Sequence, residues 1–261
     1  MKIITIKFPT DSKISDFKDR DGEAYELNDQ VIIDNSQVRE VAQIINIYES
    51  EKIKNQEGEG EIVKKIDKED EKKLIEIKKR AVEYVAKCTE IIAIYDLPMD
   101  IIDADLSFDE KKLTLYFASD TRVDFRKLVS HCVRNFKKLI RLQQIGPREQ
   151  AQKIGGHGKC GEEVCCKRFL HQLENVSIDL AKNQCLAEVS SNKINGNCGK
   201  LLCCLKYEND LYTEAKKDMP KVGSEIKTKS GKGKIIKLNV LKNSLLVELD
   251  NENRDKVEVS L

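Results

Sequence analysis

The chain has 261 residues, of which 35% are charged and 5% aromatic, and its formal net charge at neutral pH is +1. Overall charge therefore gives no reason to infer a nucleic-acid partner, and any electrostatic surface must come from local segregation. The length is enough for two or three small domains. We find no secretory signal at the N-terminus and no run near the roughly 18 apolar residues of a membrane span. We therefore expect a cytoplasmic protein without direct membrane insertion.

Residues 1–66 are predicted to form a β-rich N-terminal unit. β-Branched runs occur at residues 3–8, 30–35 and 41–48, and polar turns at Asp21-Gly22 and Asp34-Asn35 separate them. Residues 51–66 are dominated by charge and glycine, which predicts a loop or an irregular extension.

Residues 67–145 are predicted to form an α-β-β-α-β sandwich, so that the fold class is α+β. Apolar residues recur at helical spacing from Asp67 to about Tyr95, and this stripe includes Cys88 as a core residue. A hairpin, an amphipathic helix and a third strand follow, with the helices expected on one face of the sheet. The second helix is predicted to direct four side chains inward: Val129, Cys132, Val133 and Phe136.

The remaining chain divides into two predicted regions. Residues 146–219 form a cysteine-rich extension of the sandwich, and residues 220–261 contain four short strands with turn residues between them. The spacing of these strands predicts a small SH3-like β-barrel.

A nine-residue cysteine pattern occurs twice, as "GKCGEEVCC" at residues 158–166 and "GNCGKLLCC" at residues 196–204. In a reducing compartment such thiols are expected to be metal ligands or reactive groups, because disulfides are rare there. Thiolates are soft ligands suited to zinc or iron–sulfur clusters. Glycine after the first cysteine of each unit permits positive φ. The candidate metal ligands are Cys160, Cys165, Cys166, Cys198, Cys203 and Cys204.

The ligand count leaves several arrangements open. Adjacent cysteines in a helix point about 100° apart, so they are not expected to bind the same ion. One site could use four of the six thiols. Alternatively, two sites could use three each and take a fourth ligand from Cys185 or a partner chain. A structural zinc site, an iron–sulfur site and a thiol redox protein are all compatible with the thiols, although the C-x2-C step typical of zinc sites is missing. His157 is a further candidate ligand.

Four segments, "TRVDFRKLV", "QIGPREQAQKIGGHGKCGEEVCC", "VSIDLAKNQ" and "INGNCGKLLCCLKYENDLY", resemble the bacterial RicT/YaaT-type family, which contains the PSP C-terminal homology region. The resemblance implies a non-catalytic regulatory subunit that assembles with two small helical partner proteins. It implies [4Fe–4S] clusters on the six repeat cysteines, shared with the partner subunits. Zinc is the alternative that the thiols themselves leave open. It also implies modulation of messenger RNA maturation by the endoribonuclease RNase Y, and of developmental phosphorelay in spore-formers. Glu162 and Glu163 depart from the family pattern, and acidic neighbours are expected to raise thiol pKa values.

Lysine and arginine are concentrated in residues 122–153 and 221–242. Such segments either contact RNA phosphates or form solvated faces. The chain contains no P-loop, dinucleotide-binding fingerprint, zinc-protease motif or nucleophile elbow, which favours a protein that is not an enzyme. The candidate RNA-phosphate contacts are Arg122, Arg126, Arg134, Lys137, Lys138 and Arg141.

Overall fold

A computed structural model describes residues 2–8, 14–19, 24–50, 55–170, 175–186 and 189–261. The fold is mixed α+β and divides into two compact units, Met1–Gly146 and Pro147–Leu261. Among the described residues, no helix is both long enough and apolar enough to cross a membrane.

The first unit begins with a five-stranded antiparallel sheet of order β2-β1-β4-β3-β5. Alternate apolar residues of its long strands, such as Ile4, Ile6 and Ile44, are fully buried on one face. The strands are β1 Lys2–Lys7, β2 Ile14–Lys18, β3 Gln30–Asp34, β4 Arg39–Glu49 and β5 Glu61–Lys65.

The prediction of a loop or irregular extension over residues 51–66 was wrong at its end, because β5 is a strand paired with β3. Its side chains alternate between exposed and half-buried, so the strand lacks the apolar run that would have identified it. The predicted turn at Asp21-Gly22 lies outside the described residues.

A long helix, three strands and a second helix complete the first unit. The elements are α1 Lys68–Ile94, β6 Asp100–Leu106, β7 Lys112–Ala118, α2 Arg126–Phe136 and β8 Leu139–Gln144. The sheet order is β6-β7-β8, with β6 antiparallel and β8 parallel to β7. Helix α1 begins where predicted, because Asp67 caps the first turn and exchanges hydrogen bonds with Asp70.

Both helices pack against one face of this sheet. Leu113 and Leu115 of β7 and Leu128 and Cys132 of α2 are all fully buried in the shared core. The prediction that Val133 points inward was wrong: this side chain is 42% exposed. Leu128 takes the buried position instead, one helical turn before Cys132.

The second unit contains short helices followed by a sheet. The helices are α3 Pro147–Ile154, α4 Cys165–Arg168, α5 Ile178–Asn183, α6 Ser191–Ile194, α7 Cys203–Tyr207 and α8 Asn209–Ala215. The strands are β9 Glu225–Thr228, β10 Gly231–Asn239, β11 Ser244–Leu249 and β12 Lys256–Ser260.

The predicted SH3-like barrel is not formed. Strands β9 to β12 make an open antiparallel meander of order β12-β11-β10-β9, with β9 and β12 at opposite edges. A barrel requires its edge strands to pair. Here the apolar face is covered in part by half-buried side chains that include Cys185 and Met219. The strand signals in the sequence were therefore right, but they did not specify closure.

Candidate functional site

The first cysteine unit folds into a tight turn closed by backbone hydrogen bonds. The Gly158 N–H donates to the Glu162 carbonyl at 2.7 Å, and the Gly161 N–H donates to the Gly158 carbonyl at 3.0 Å. Cys160 lies inside this loop, and its side chain is exposed. The loop thus presents a thiol at the protein surface.

The second cysteine unit, residues 196–204, repeats the same turn. The Gly196 N–H donates to the Lys200 carbonyl at 2.8 Å, and the Gly199 N–H donates to the Gly196 carbonyl at 2.9 Å. Cys198 occupies the position equivalent to that of Cys160 and is half-buried. The duplicated sequence therefore produces a duplicated local structure.

Glycine after the first cysteine is required by backbone conformation. Gly161 has φ +84° and Gly199 has φ +73°, in the left-handed region that side chains other than glycine rarely adopt. A Cβ atom on either residue would meet nothing within 4 Å, so conformation and not space selects glycine. This confirms the expected role of these two positions.

The paired cysteines begin the short helices that follow each turn. Cys165 and Cys203 are the first residues of α4 and α7, and their neighbours Cys166 and Cys204 follow within the helix. Consecutive helical side chains diverge by about 100°. In the first pair the two thiols also differ in burial, since Cys166 is buried and Cys165 is half-buried, whereas Cys203 and Cys204 of the second pair are both half-buried.

Side-chain hydrogen bonds join the turns of the two cysteine units, which both lie in Pro147–Leu261. Asn197 Nδ2 donates to the His157 carbonyl at 2.6 Å, which links the second turn to the first. Arg148 Nη2 donates to the Leu201 carbonyl at 3.1 Å, so helix α3 is attached to the second turn. The predicted ligand His157 thus contributes its backbone to this connection, and its side chain is exposed.

Two glutamines that the sequence did not single out support the helices of the cysteine pairs. Gln152 Nε2 donates to the Cys166 carbonyl at 2.6 Å, and Gln184 Nε2 donates to the Leu205 carbonyl at 2.6 Å. Gln184 is only 6% exposed. Both glutamines lie in segments on which the family resemblance rests, and that resemblance is the feature of the sequence that could have indicated their importance.

Burial is the main influence on three of the thiols. It raises the pKa of Cys166, and the nearby Cys203 raises it further. Burial also raises the pKa of Cys203 itself, opposed by the positive charge of Arg148. Burial, followed by Glu208, raises the pKa of Cys204. In the absence of a bound cation, these three thiols are therefore held in the protonated form at neutral pH.

The same interactions show which thiols are near one another. Five thiols of the two cysteine units influence one another electrostatically. These five are Cys165, Cys166, Cys198, Cys203 and Cys204.

The donor chemistry of this group fits a soft metal or an iron–sulfur cluster, because thiolates are the preferred ligands of both. Within the described ranges, however, no three His, Cys, Asp or Glu side chains are placed so that they could hold a metal ion. The thiols are neighbours but do not form a complete ligand set in this chain alone.

The acidic residues beside the first turn are partly neutralised. Arg168 Nη1 donates to Glu162 Oε2 at 2.8 Å. Because α4 begins at Cys165, this arginine lies within the helix of the first cysteine pair and offsets the charge of Glu162. Beside the second pair, Glu208 raises the pKa of Cys204.

The three other cysteines serve packing. Cys88 and Cys132 are fully buried in the core between α1 and α2, as predicted for Cys88. Cys185 packs against the apolar face of the β9–β12 sheet, with φ +60°. The alternative in which Cys185 supplies a fourth ligand therefore has no support from its packing.

The six candidate RNA-contact residues occupy different places in the first unit. Arg126 and Arg134 line a groove on α2. Lys138 Nζ donates to the Glu110 carbonyl at 2.6 Å and is only 14% exposed. Arg141 lines a polar cavity on the sheet face opposite the helices. Lys137 ends α2 in the left-handed conformation, and Arg122 is exposed.

The fold and the site together define an α+β protein that presents a duplicated frame of thiols. The model of the PSP1 C-terminal conserved region matches residues 60–145, and that of the PSP1-like protein, third domain, matches residues 175–219. The chain is 42% identical over 170 residues to the stage 0 sporulation protein YaaT of Bacillus subtilis (strain 168). The aligned region covers 65% of this chain and 61% of the length of that relative. No solved structure matches. The chain belongs to the PSP1 family of YaaT-type proteins.

Proposed function

We propose that this protein is an iron–sulfur-binding regulatory subunit of a cytoplasmic complex that controls messenger RNA maturation by an endoribonuclease, RNase Y. The observation that carries the proposal is that the two matched cysteine units lie side by side in Pro147–Leu261. Asn197 bonds to the His157 carbonyl, the rings of Phe169 and Tyr207 are in contact, and five thiols of the two cysteine units influence one another electrostatically. The name of the B. subtilis relative, a stage 0 sporulation protein, supports a role in developmental regulation.

In this proposal the bound group is completed by ligands from outside the chain. Among the described residues the gathered thiols are not placed so that three of them could hold a metal ion, so this chain alone does not supply the four ligands of a [4Fe–4S] cluster. Cysteines of two small helical partner proteins would supply the remainder. The cluster would stabilise the thiolate form of the buried cysteines and link the subunits. The protein itself would act as an adaptor and not as the nuclease.

Anaerobic purification and reconstitution test cluster binding. The protein, alone and with its co-purifying partners, should contain iron and sulfide in about equal amounts. Cys203→Ser should remove most of both, because Cys203 lies in the thiol group. Cys88→Ser is the matched control and should retain them, since Cys88 lies in the core of the first unit. Zinc without iron or sulfide would instead favour the zinc alternative, and equal losses in both variants would reject the assignment.

Co-purification from the native organism tests the complex. A tagged chain isolated without oxygen should bring down two small cysteine-bearing proteins and the endoribonuclease. Cys203→Ser should lose the small partners if ligands are shared between subunits. If the variant keeps the partners in full yield, the shared cluster is not what links the complex.

A further inference from the structure

An open groove runs along the outer face of α2 in the compact unit Met1–Gly146, outside the sequence of both cysteine units. Tyr95, which ends α1, forms one wall. The other lining residues all belong to α2: Arg126, Lys127, Ser130, His131, Arg134 and Asn135.

Helical spacing places these side chains on one face. Arg126, Ser130 and Arg134 follow at intervals of four residues, and Lys127, His131 and Asn135 form the adjacent row. The Cα atoms of Arg126 and Arg134 are about 12 Å apart along the helix axis. That distance corresponds to about three nucleotides of a stacked strand.

The charge of this face is not balanced within the helix. Helix α2 contains no acidic residue. Arg126 pairs with the flanking Asp124, with Nη2 and Oδ2 at 2.6 Å. Lys127 and Arg134 make no ion pair with any described residue. Lys127 and Arg134 therefore face solvent, and the exposed Asp124 is the acid that the described part of the chain places beside Arg126 and, at longer range, Lys127.

Two of the three cations are not placed to stabilise the helix through its dipole, whereas Arg134 lies in the last turn, where the dipole favours positive charge. Arg126 and Lys127 occupy its first turn, where the helix dipole favours negative charge. Phe125 at the N-cap provides no side-chain hydrogen bond. Asp124 Oδ1 accepts a hydrogen bond from the Arg126 backbone N–H at 3.2 Å and also pairs with the Arg126 side chain. Helix stability therefore leaves Lys127 unexplained, whereas binding of an external anion to the groove accounts for all three cations.

The rest of the groove supplies neutral polar groups and a fixed aromatic wall. The Tyr95 hydroxyl and His131 Nδ1 are 3.0 Å apart, and the two rings meet edge to face at 5.7 Å. Ser130 and Asn135 add a hydroxyl and an amide that can contact phosphate or sugar oxygens.

We propose that the α2 groove binds the phosphate backbone of a single-stranded nucleic acid. An anionic membrane is disfavoured as the occupant, because Val133 is the one large apolar side chain exposed on α2 and offers little to insert. The inference rests on the proposed function only for the choice of RNA as the main probe.

Fluorescence anisotropy of the full chain with labelled 12-nucleotide oligo(U) and oligo(dT) tests the proposal. The variant Arg126→Ala/Lys127→Ala/Arg134→Ala should bind more weakly and should reduce the slope of log Kd against log salt by about 2. Those three contacts alone correspond to about a 20-fold loss of affinity between 50 and 200 mM salt. The control Lys68→Ala/Lys72→Ala/Lys79→Ala removes the same charge from exposed positions nearer the start of α1 and should keep the wild-type slope.

A third variant is expected to change the affinity in the opposite direction. Asp124→Asn removes the acid that pairs with Arg126 and should tighten binding about two- to fivefold. Equal weakening by both triple variants would overturn the proposal, as would binding to anionic vesicles without binding to either oligonucleotide. Cys203→Ser should keep full RNA binding, so that a failure of the thiol proposal remains distinguishable from a failure of this one.

Discussion

Phe169 and Tyr207 occupy equivalent positions in the two cysteine units, and their rings contact each other. Each lies four residues after the first cysteine of its Cys-Cys pair. The ring centroids are 5.1 Å apart at an interplanar angle of 68°, an edge-to-face contact. When two copies of a unit pack about a twofold axis, residues near the axis contact their own equivalents in the other copy. The duplicated sequence has therefore folded as an internal pair, with its two thiol-bearing helices side by side.

A double-mutant cycle measures what this contact contributes. Phe169→Ala and Tyr207→Ala should each lower stability, and the coupling free energy should be about 0.5 kcal/mol, near the low end for aromatic pairs because both rings are substantially exposed. Urea unfolding of the metal-free, reduced protein gives the four values. Tyr207→Phe is the control and should retain the coupling, since the ring edge is kept. Additive losses would mean that the two rings do not stabilise the pairing.

The two turn glycines should be sensitive to a single methyl group. Gly161→Ala and Gly199→Ala force a residue with a Cβ into positive φ and should each cost about 1 kcal/mol. Gly146→Ala makes the same chemical change at a position with open space for a Cβ atom and no positive φ. It should therefore leave stability nearly unchanged. Thermal unfolding of the three variants checks this, and an equal effect at Gly146 would argue against the strained turn.

The local features of the site were readable from the sequence, whereas its assembly was not. The repeated pattern predicted the need for glycine at residues 161 and 199 and the divergence of adjacent cysteines, because both depend only on backbone geometry. The contact of Phe169 with Tyr207 and the hydrogen bond from Gln184 join residues 21 or more positions apart. No local pattern encodes such pairings.

In the fold, too, local features could be predicted from the sequence and long-range pairings could not. The apolar stripe of α1 predicted that helix almost to the residue, and in the structure Asp67 caps its first turn. Strand β5 was missed because its edge position needs few apolar residues, and Val133 was misplaced because several apolar side chains on α2 compete for one buried face. The open β9–β12 sheet differs from a barrel only in whether its edges meet, which strand spacing does not determine.

Asp16 should make the stability of the first unit depend on pH. Its side chain is fully buried, which acts to raise its pKa, but hydrogen bonds from Asn55, Thr5 and Tyr48 outweigh burial and hold the pKa at about 2. The donors lie 2.7–3.0 Å from the carboxylate oxygens. Because the folded pKa is below the unfolded value, the stabilisation is complete above about pH 4 and is lost as pH falls towards 2.

The expected contribution of Asp16 at neutral pH is about 2 kcal/mol. Asp16→Asn should remove most of it and should flatten the dependence of the unfolding free energy on pH between 4 and 2. Urea titrations at several pH values give both quantities. Asp124→Asn is the comparison variant: Asp124 also has a pKa of about 2, but it lies on the surface, so its effect on stability should be small. An unchanged pH profile in Asp16→Asn would contradict the assignment.

The buried thiols Cys88 and Cys132 should respond to substitution through packing alone. Their Sγ atoms are 3.9 Å apart between α1 and α2, and both side chains are 0% exposed. The adjacent thiol and burial raise the pKa of Cys88, so it stays protonated. Cys88→Ser places a more polar hydroxyl in this core and should cost about 1–3 kcal/mol. Cys88→Ala, which leaves only a small cavity, should cost less.

Alkylation of the native, reduced protein provides an independent measurement. Iodoacetamide should modify the exposed Cys160 and leave Cys88 and Cys132 unmodified until urea unfolds the first unit. Mass spectrometry of the peptides distinguishes these sites. Rapid modification of Cys88 in the native protein, together with a Cys88→Ser variant as stable as the wild type, would show that this part of the core opens to solvent. We expect neither, because α1 and α2 share a continuous apolar core with the sheet beneath them.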